Sequence, residues 1–251
     1  MEIFDSHLHL LSTLSLNQSF DKLVEDCQLA EIAGGLIICM QNDPWDFEAV
    51  AEQIGLHDNF SFAINPDLSA SSRDIARNVQ AGKKAGAAAV KIHPRLQRLN
   101  LQSKKVDYLV QLAQDLELPV IICSFDDGSW SRFGLSNDQF LRLADKFNGA
   151  RFLWAHAGGH NVLEFMFMAR RTSNVYLDSS FTQSYFFKGS VLEDLNYASE
   201  SLSTRFMFGT DFEGVTYPKS VKKLIDFYLQ HDENRELFFG KNYKKFFSID
   251  E

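Results

Sequence analysis

The chain alternates short, nearly unbroken apolar runs with longer stretches whose apolar positions recur at helical spacing. Eight runs have strand length: Ile3–Leu10, Gly35–Gln41, Phe60–Pro66, Ala87–His93, Leu118–Ser124, Arg151–Ala157, Asn174–Asp178 and Arg205–Asp211. Their middles are continuously apolar, as in strands buried on both faces. The intervening spacing predicts helices over Phe20–Ala33, Ser71–Ala85, Lys104–Glu117, Asn137–Lys146, Leu163–Arg171, Lys188–Ser201 and Pro218–Gln230. Gly34-Gly35, Gly86, Pro119 and Asn148-Gly149 punctuate the joints from helix to strand. Eight βα units in 251 residues match an α/β fold of the closed (β/α)8 TIM barrel type, one domain over residues 1–251 with closing helices at its C-terminal end. The other arrangement of such units, an open doubly wound sheet, places a Gly-rich phosphate turn after the first strand. Here Ser6-His7-Leu8-His9 stands in that place. No Pro/Gly/Ser-rich linker, low-complexity tract or internal repeat divides the chain.

Composition narrows the function classes. Acidic residues outnumber basic ones 33 to 25, a net charge of −8, and no Lys/Arg stripe is dense enough to follow phosphates, so nucleic acid is not an expected partner. No apolar run approaches the roughly 18 residues of a membrane span. The opening Met1-Glu2-Ile3-Phe4-Asp5 lacks the layout of a signal peptide, and a cytoplasmic protein is expected. Three widely spaced cysteines, Cys27, Cys39 and Cys123, form neither a disulfide framework nor a metal knuckle. Phe is abundant at 23 residues. Trp130, Phe133, Phe181, Tyr185, Phe186 and Phe187 follow the fifth and seventh runs, where they either line a pocket or pack the core.

Chemistry-bearing residues gather at the C-terminal ends of the runs. In Asp5-Ser6-His7-Leu8-His9 the period of two puts Asp5, His7 and His9 on one face, and two imidazoles so spaced grip one divalent ion or stand as an inert polar pair. In Phe208-Gly209-Thr210-Asp211 the carboxylate faces the first strand of a closed barrel, as a metal ligand and proton acceptor or as a turn residue. His156 ends the sixth run before Gly158-Gly159 and is placed to reach a substrate, whereas His160 falls beyond the turn. In Val90-Lys91-Ile92-His93-Pro94, a Lys pointing into a barrel must be paired: in an ion pair, on a substrate carboxylate, or as a carbamylated metal bridge. Arg95 and Arg98 follow on the same side, as a carboxylate clamp or as solvated cations. Asp126-Asp127-Gly128 reads as a turn, and His57 and His231 as surface histidines.

Asp5-x-His7-x-His9, Val90-Lys91-Ile92-His93-Pro94, His156-Ala157-Gly158-Gly159 and Gly209-Thr210-Asp211, in this order, resemble the amidohydrolase superfamily in its amidohydrolase-related branch. Phe239-Gly240-Lys241-Asn242-Tyr243-Lys244-Lys245-Phe246-Phe247 is similar to the closing helix of that branch. The resemblance implies a (β/α)8 barrel holding one or two divalent ions, commonly zinc, with His7, His9 and Asp211 as ligands, Asp211 also as general base, and His156 binding metal or polarising the substrate. It places Lys91 near a bridging position used by some branches. One departure stands out: the fifth strand carries Cys123-Ser124 where the branch places a metal-binding His. Either Cys123 supplies a thiolate ligand, or His93 or His156 replaces the missing imidazole, or the ion is weak or lost.

The resulting expectation is a metal-dependent hydrolase that cleaves an amide, lactone or ester bond of a small carboxylated molecule, with Lys91 and Arg95 holding the substrate anion. Two alternatives remain open. One is a non-oxidative decarboxylase of a small aromatic acid; the other is a metal-free lactonase or inactive binding protein. Barrels of this type often pair, so a homodimer is the oligomer to test.

Overall fold

The computed structural model describes residues 1–212, 218–231 and 235–249, without the side chains of residues 218, 219, 230 and 231. The side chain of His231 therefore lies outside the described residues. Eight parallel strands follow one another in chain order: β1 (Phe4–Leu8), β2 (Gly34–Cys39), β3 (Phe60–Ile64), β4 (Ala89–Ile92), β5 (Val120–Cys123), β6 (Phe152–Ala155), β7 (Val175–Asp178) and β8 (Phe206–Met207). The ring closes through backbone bonds from Ser6 N–H to Phe208 O (3.0 Å), Asp211 N–H to His7 O (2.9 Å) and His9 N–H to Phe212 O (2.9 Å). This is the (β/α)8 barrel expected from the run pattern.

Two local differences have plain causes. The eighth run was expected to be a strand through Asp211, yet β8 is two residues long. Past it, Phe208 N–H turns to Phe238 O (2.9 Å), and Asp211 adopts a left-handed φ of 60°, so Gly209–Asp211 swings across to β1. A helix over Phe47–Ile54, which the sequence reading leaves out, follows β2. It has only eight residues, and its start is set by Asp46, whose carboxylate accepts the Ala49 N–H at 2.9 Å.

Period-two alternation sorts the strands into two packed layers. Val90, Ile92, Val120, Ile122, Phe152, Trp154, Val175 and Leu177 face the surrounding helices. Phe4, Leu36, Ile38, Ala63, Ala89, Ile121, Leu153, Ala155, Tyr176 and Met207 fill the barrel interior. Its N-terminal end is sealed by the helix Asn242–Phe247, which adds Tyr243, Phe246 and Phe247 to the same cluster. Tyr243 stacks on Phe4 (5.2 Å between centroids), and its hydroxyl lies 3.0 Å from Ser61 Oγ. Asn242 ties this plug to the wall by donating to Ser203 O (2.8 Å) and Phe206 O (2.6 Å). Truncating a fully buried aromatic leaves a cavity, so Phe246→Ala is expected to cost about 3–5 kcal/mol, read as a lower urea midpoint. Divalent-ion binding by the folded fraction should not change, because the plug is at the opposite end from the strand C-termini.

Candidate active site

One step of the alternation beyond the last apolar layer turns the interior polar. Two residues after Ala89, Ile121 and Tyr176 come Lys91, Cys123 and Asp178, each at or near the C-terminal end of its strand. All three are buried, at 1%, 3% and 0% exposure. On β1 the register shifts between Asp5 and Leu8, so simple alternation fails there. Asp5, expected on the face of His7 and His9, turns away. It accepts the His7 N–H (2.9 Å), the Thr210 N–H (3.0 Å) and the Thr210 hydroxyl (2.5 Å), fastening β1 to the segment after β8. Burial outweighs these bonds and raises its carboxyl to about 7.

His7, His9 and Asp211 come together as the sequence predicts. Asp211 Oδ1 lies 3.2 Å from His7 Nε2 and 3.3 Å from His9 Nε2. Burial, then the charge of Lys91, pushes His7 down to about 3, so its ring is neutral. His7 Nδ1 faces Asp178 Oδ2 at 3.6 Å, which places its proton on that side and leaves a lone pair at Nε2. A lone pair and a carboxylate oxygen at 3.2 Å repel unless a cation lies against both. Lys91 supplies part of that charge, with Nζ 3.3 Å from His7 Nε2. Burial lowers the Lys91 pKa, against the charges of Cys123, Asp211 and Asp178. The donor spacing also matches about 3.4 Å, the edge of a tetrahedron with zinc–ligand bonds near 2.1 Å. Imidazole and carboxylate donors in this arrangement fit a divalent ion.

Among the described residues, a second close set of donors is His7, His156 and Asp178. Neither set includes His93 or Cys123, both expected as ligand candidates. His93 lies just past β4, where its Nδ1 faces the Leu96 N–H at 3.4 Å. Its ring and that of His156 flank the Cys123 thiol. Burial raises that thiol, but the two histidines outweigh it and hold Cys123 well below its ordinary value.

Asp178, the residue missed by the sequence reading, is the hub of the site. It accepts the His156 N–H (2.8 Å), the Ser180 N–H (3.0 Å), the Ser180 hydroxyl and the Ser6 hydroxyl (3.3 Å). Burial would raise its carboxyl, yet its contacts with His7, His156 and Ser180 bring it to about 2. His156 Nδ1 in turn faces Ser180 O (3.1 Å) and Ser180 Oγ (2.9 Å). A carbonyl only accepts, so Nδ1 carries the proton and Nε2 is the atom free to act. Burial lowers the His156 pKa, but the charges of Cys123 and Asp211 outweigh it and raise the pKa. Asp211 is held well below its ordinary value: burial raises it, and His9, His156 and His7 together outweigh that. The signal for Asp178 was its place at the end of the seventh run, two residues past the inward-facing Tyr176.

The backbone around these groups is strained. His156 (φ 72°), Ala157 (φ 45°), Phe181 (φ 57°) and Asp211 (φ 60°) all occupy the left-handed region just after β6, β7 and β8. Gly158 has φ 81°, and a Cβ there would meet the Phe165 ring at 2.2 Å, so no other residue fits. Its N–H is held by Ser124 Oγ at 2.8 Å.

The mouth of the barrel is a cavity of about 220 Å³ lined by His7, His9, Lys91, His93, Cys123, His156 and Asp211, with Arg95 at its rim and Phe125 and Phe181 on one wall. Arg95 Nε lies 3.4 Å from Asp127 Oδ2, while Arg98 is exposed and outside the lining. The expected aromatic loop residues divide. Phe181 lines the cavity, Tyr185 and Phe186 pack on Phe125 (5.5 and 6.2 Å), and Trp130 joins the core against Phe140 (5.4 Å). His160 is exposed beyond the turn, whereas His57, expected at the surface, is half-buried because its ring stacks on Phe20 at 5.0 Å.

Residues 16–249 match the family model described as amidohydrolase; the match begins after the strand that carries His7. A search of curated proteins finds no match. Among solved structures, an uncharacterized TIM-barrel protein from Bordetella bronchiseptica has a TM-score of 0.82 at 17% identity, covering 99% of both chains. A probable 2-pyrone-4,6-dicarboxylic acid hydrolase from Acinetobacter baumannii has a TM-score of 0.69 at 13% identity, covering 99% of this chain and 100% of the other. A 5-carboxyvanillate decarboxylase from Novosphingobium aromaticivorans, complexed with manganese and 4-hydroxy-3-methoxy-5-nitrobenzoic acid, has a TM-score of 0.70 at 11% identity, covering 99% and 96%. At these identities the structures share the fold. Among the described residues no helix is long and apolar enough to cross a membrane. By the extent of the family match and the barrel that carries it, the chain belongs to the amidohydrolase family, in its amidohydrolase-related branch.

Proposed function

We propose that the protein is a hydrolase that cleaves an amide, lactone or ester bond in a small carboxylated substrate at the mouth of the barrel. The observation that carries this reading is the convergence of His7 Nε2, His9 Nε2 and Asp211 Oδ1 in one buried cluster. A divalent ion held by these three residues, with zinc suited to the donor set, would supply Lewis acidity toward the scissile carbonyl. Asp211, kept ionised by its histidine neighbours, accepts a proton from the attacking water and hands it to the leaving group. In its protonated form His156 donates Nε2–H to the carbonyl oxygen, where negative charge develops. Lys91 at the floor of the cavity and Arg95 at its rim hold the substrate anion, while Phe125 and Phe181 exclude water from one side.

Non-oxidative decarboxylation is the second reading, because one protein of this fold is a decarboxylase complexed with manganese. The two are separated with a panel of carboxylated lactones, esters, amides and aromatic acids incubated in heavy-oxygen water. Hydrolysis is expected to place heavy oxygen in the acid product without gas release. Release of carbon dioxide with no incorporation would overturn the hydrolase reading.

A further inference from the structure

We propose that Cys123 is a nucleophile of the active site, which attacks ester or lactone substrates to form a thioester that water then hydrolyses. The inference rests on the hydrolase reading above and adds the atom that attacks first. Cys123 ends β5 on the inward face, two residues past Ile121, and its side chain lines the cavity at 3% exposure. Among the described residues it belongs to neither of the donor clusters that could hold an ion, which leaves its sulfur free for other work. The rings of His93 and His156 line the same cavity beside it.

His156 is prepared as the partner base. With Nδ1 facing Ser180 O at 3.1 Å and Ser180 Oγ at 2.9 Å, and Ser180 Oγ bonded to Asp178, the ring is fixed with Nε2 unprotonated in its neutral form. A nucleophile, a base beside it and a group that orients the base make up the arrangement by which thiols and hydroxyls are activated in covalent catalysis. Here the three parts come from β5, from the residue after β6, and from β7 with its following turn. Lys91 lines the same cavity and offers a positive charge to the oxygen that becomes negative during attack.

The proton and bond changes balance. The proton shared between Cys123 Sγ and His156 Nε2 is carried on Nε2 as sulfur bonds to the carbonyl carbon, and His156 delivers it to the alkoxide oxygen as the C–O bond breaks. Water then attacks the thioester carbon and gives a proton to Asp211, which hands it to sulfur as the C–S bond breaks. The net change is ester plus water to acid plus alcohol, with the thiol restored.

The probe is 4-nitrophenyl acetate, mixed with the full chain, quenched in acid and mapped by peptide mass. The expected result is an acetyl group on Cys123 that hydroxylamine removes, and a fall in ester turnover of about a hundredfold in Cys123→Ala. A measurement that needs no variant is iodoacetamide labelling of the native chain. Cys123 should alkylate at least about tenfold faster than Cys27 and Cys39, which are buried away from this cavity. Equal rates at the three thiols would overturn the proposal, as would ester turnover with no acetyl group on Cys123. If His7→Ala abolishes turnover and Cys123→Ala keeps it, the hydrolase reading stands and the thioester falls. If the native chain neither turns over the ester nor is acetylated at Cys123, the thioester falls, and the hydrolase reading is decided by the carboxylated panel above.

Discussion

Asp211→Asn is expected to lower kcat/KM by about four orders of magnitude while leaving the fold intact. Under the proposed function the carboxylate serves twice: it presents Oδ1 between His7 and His9, and it accepts the proton of the attacking water. An amide oxygen keeps the shape but is neither a comparable ligand nor a base, and loss of a comparable catalytic group costs about 10⁴-fold in well-studied hydrolases. The backbone tolerates the exchange, because Asn enters the left-handed region more readily than most residues and Asp211 sits at φ 60°. The bond from its N–H to His7 O is unaffected by the side chain. The check is steady-state kinetics beside a thermal melt of the same preparation. A loss below about tenfold, with an unchanged melt, would remove Asp211 from the proton path.

Asp178→Asn is expected to produce the second large effect, although Asp178 lines no part of the cavity wall. Its carboxylate faces His7 Nδ1 and accepts the backbone N–H of His156, so one residue orients both imidazoles together. Outer partners of this kind set the tautomer and basicity of a metal-binding His, and their loss costs about 10–100-fold in metal affinity. An Asn amide offers one acceptor oxygen where Asp178 uses both, Oδ1 for His156 and Ser180 and Oδ2 toward Ser6 and His7, and an NH₂ in the second place meets the His7 Nδ1–H donor to donor. Ion affinity should fall toward a hundredfold. A further loss of about tenfold in kcat at saturating ion should follow from His156 losing its fixed orientation. Calorimetry and kinetics on the same variant separate the two losses. Unchanged ion affinity would mean that Asp178 serves the fold alone.

The barrel was legible because eight apolar runs, buried on both faces, leave little choice of layer arrangement in a chain of 251 residues. His7, His9 and Asp211 were legible because the closure of such a barrel sets the first strand beside the eighth. Asp178 was not, since an acidic residue ending a four-residue strand resembles a turn until its partners from β1 and β6 are in place. Asp5 was assigned to the wrong face because a register shift within β1 breaks the alternation on which the assignment rested. The surroundings of Cys123 were also beyond the pattern: the sequence marks the missing imidazole, but two histidines beside the thiol appear only when β4, β5 and β6 lie side by side.

The most direct test of the central claim is calorimetric titration of the metal-stripped chain with zinc and with manganese, alongside His7→Ala and His9→Ala. Tight binding of a divalent ion to the native chain is expected, with loss of that binding in both variants. Absence of binding to the native chain, or equal binding by all three proteins, would contradict that claim.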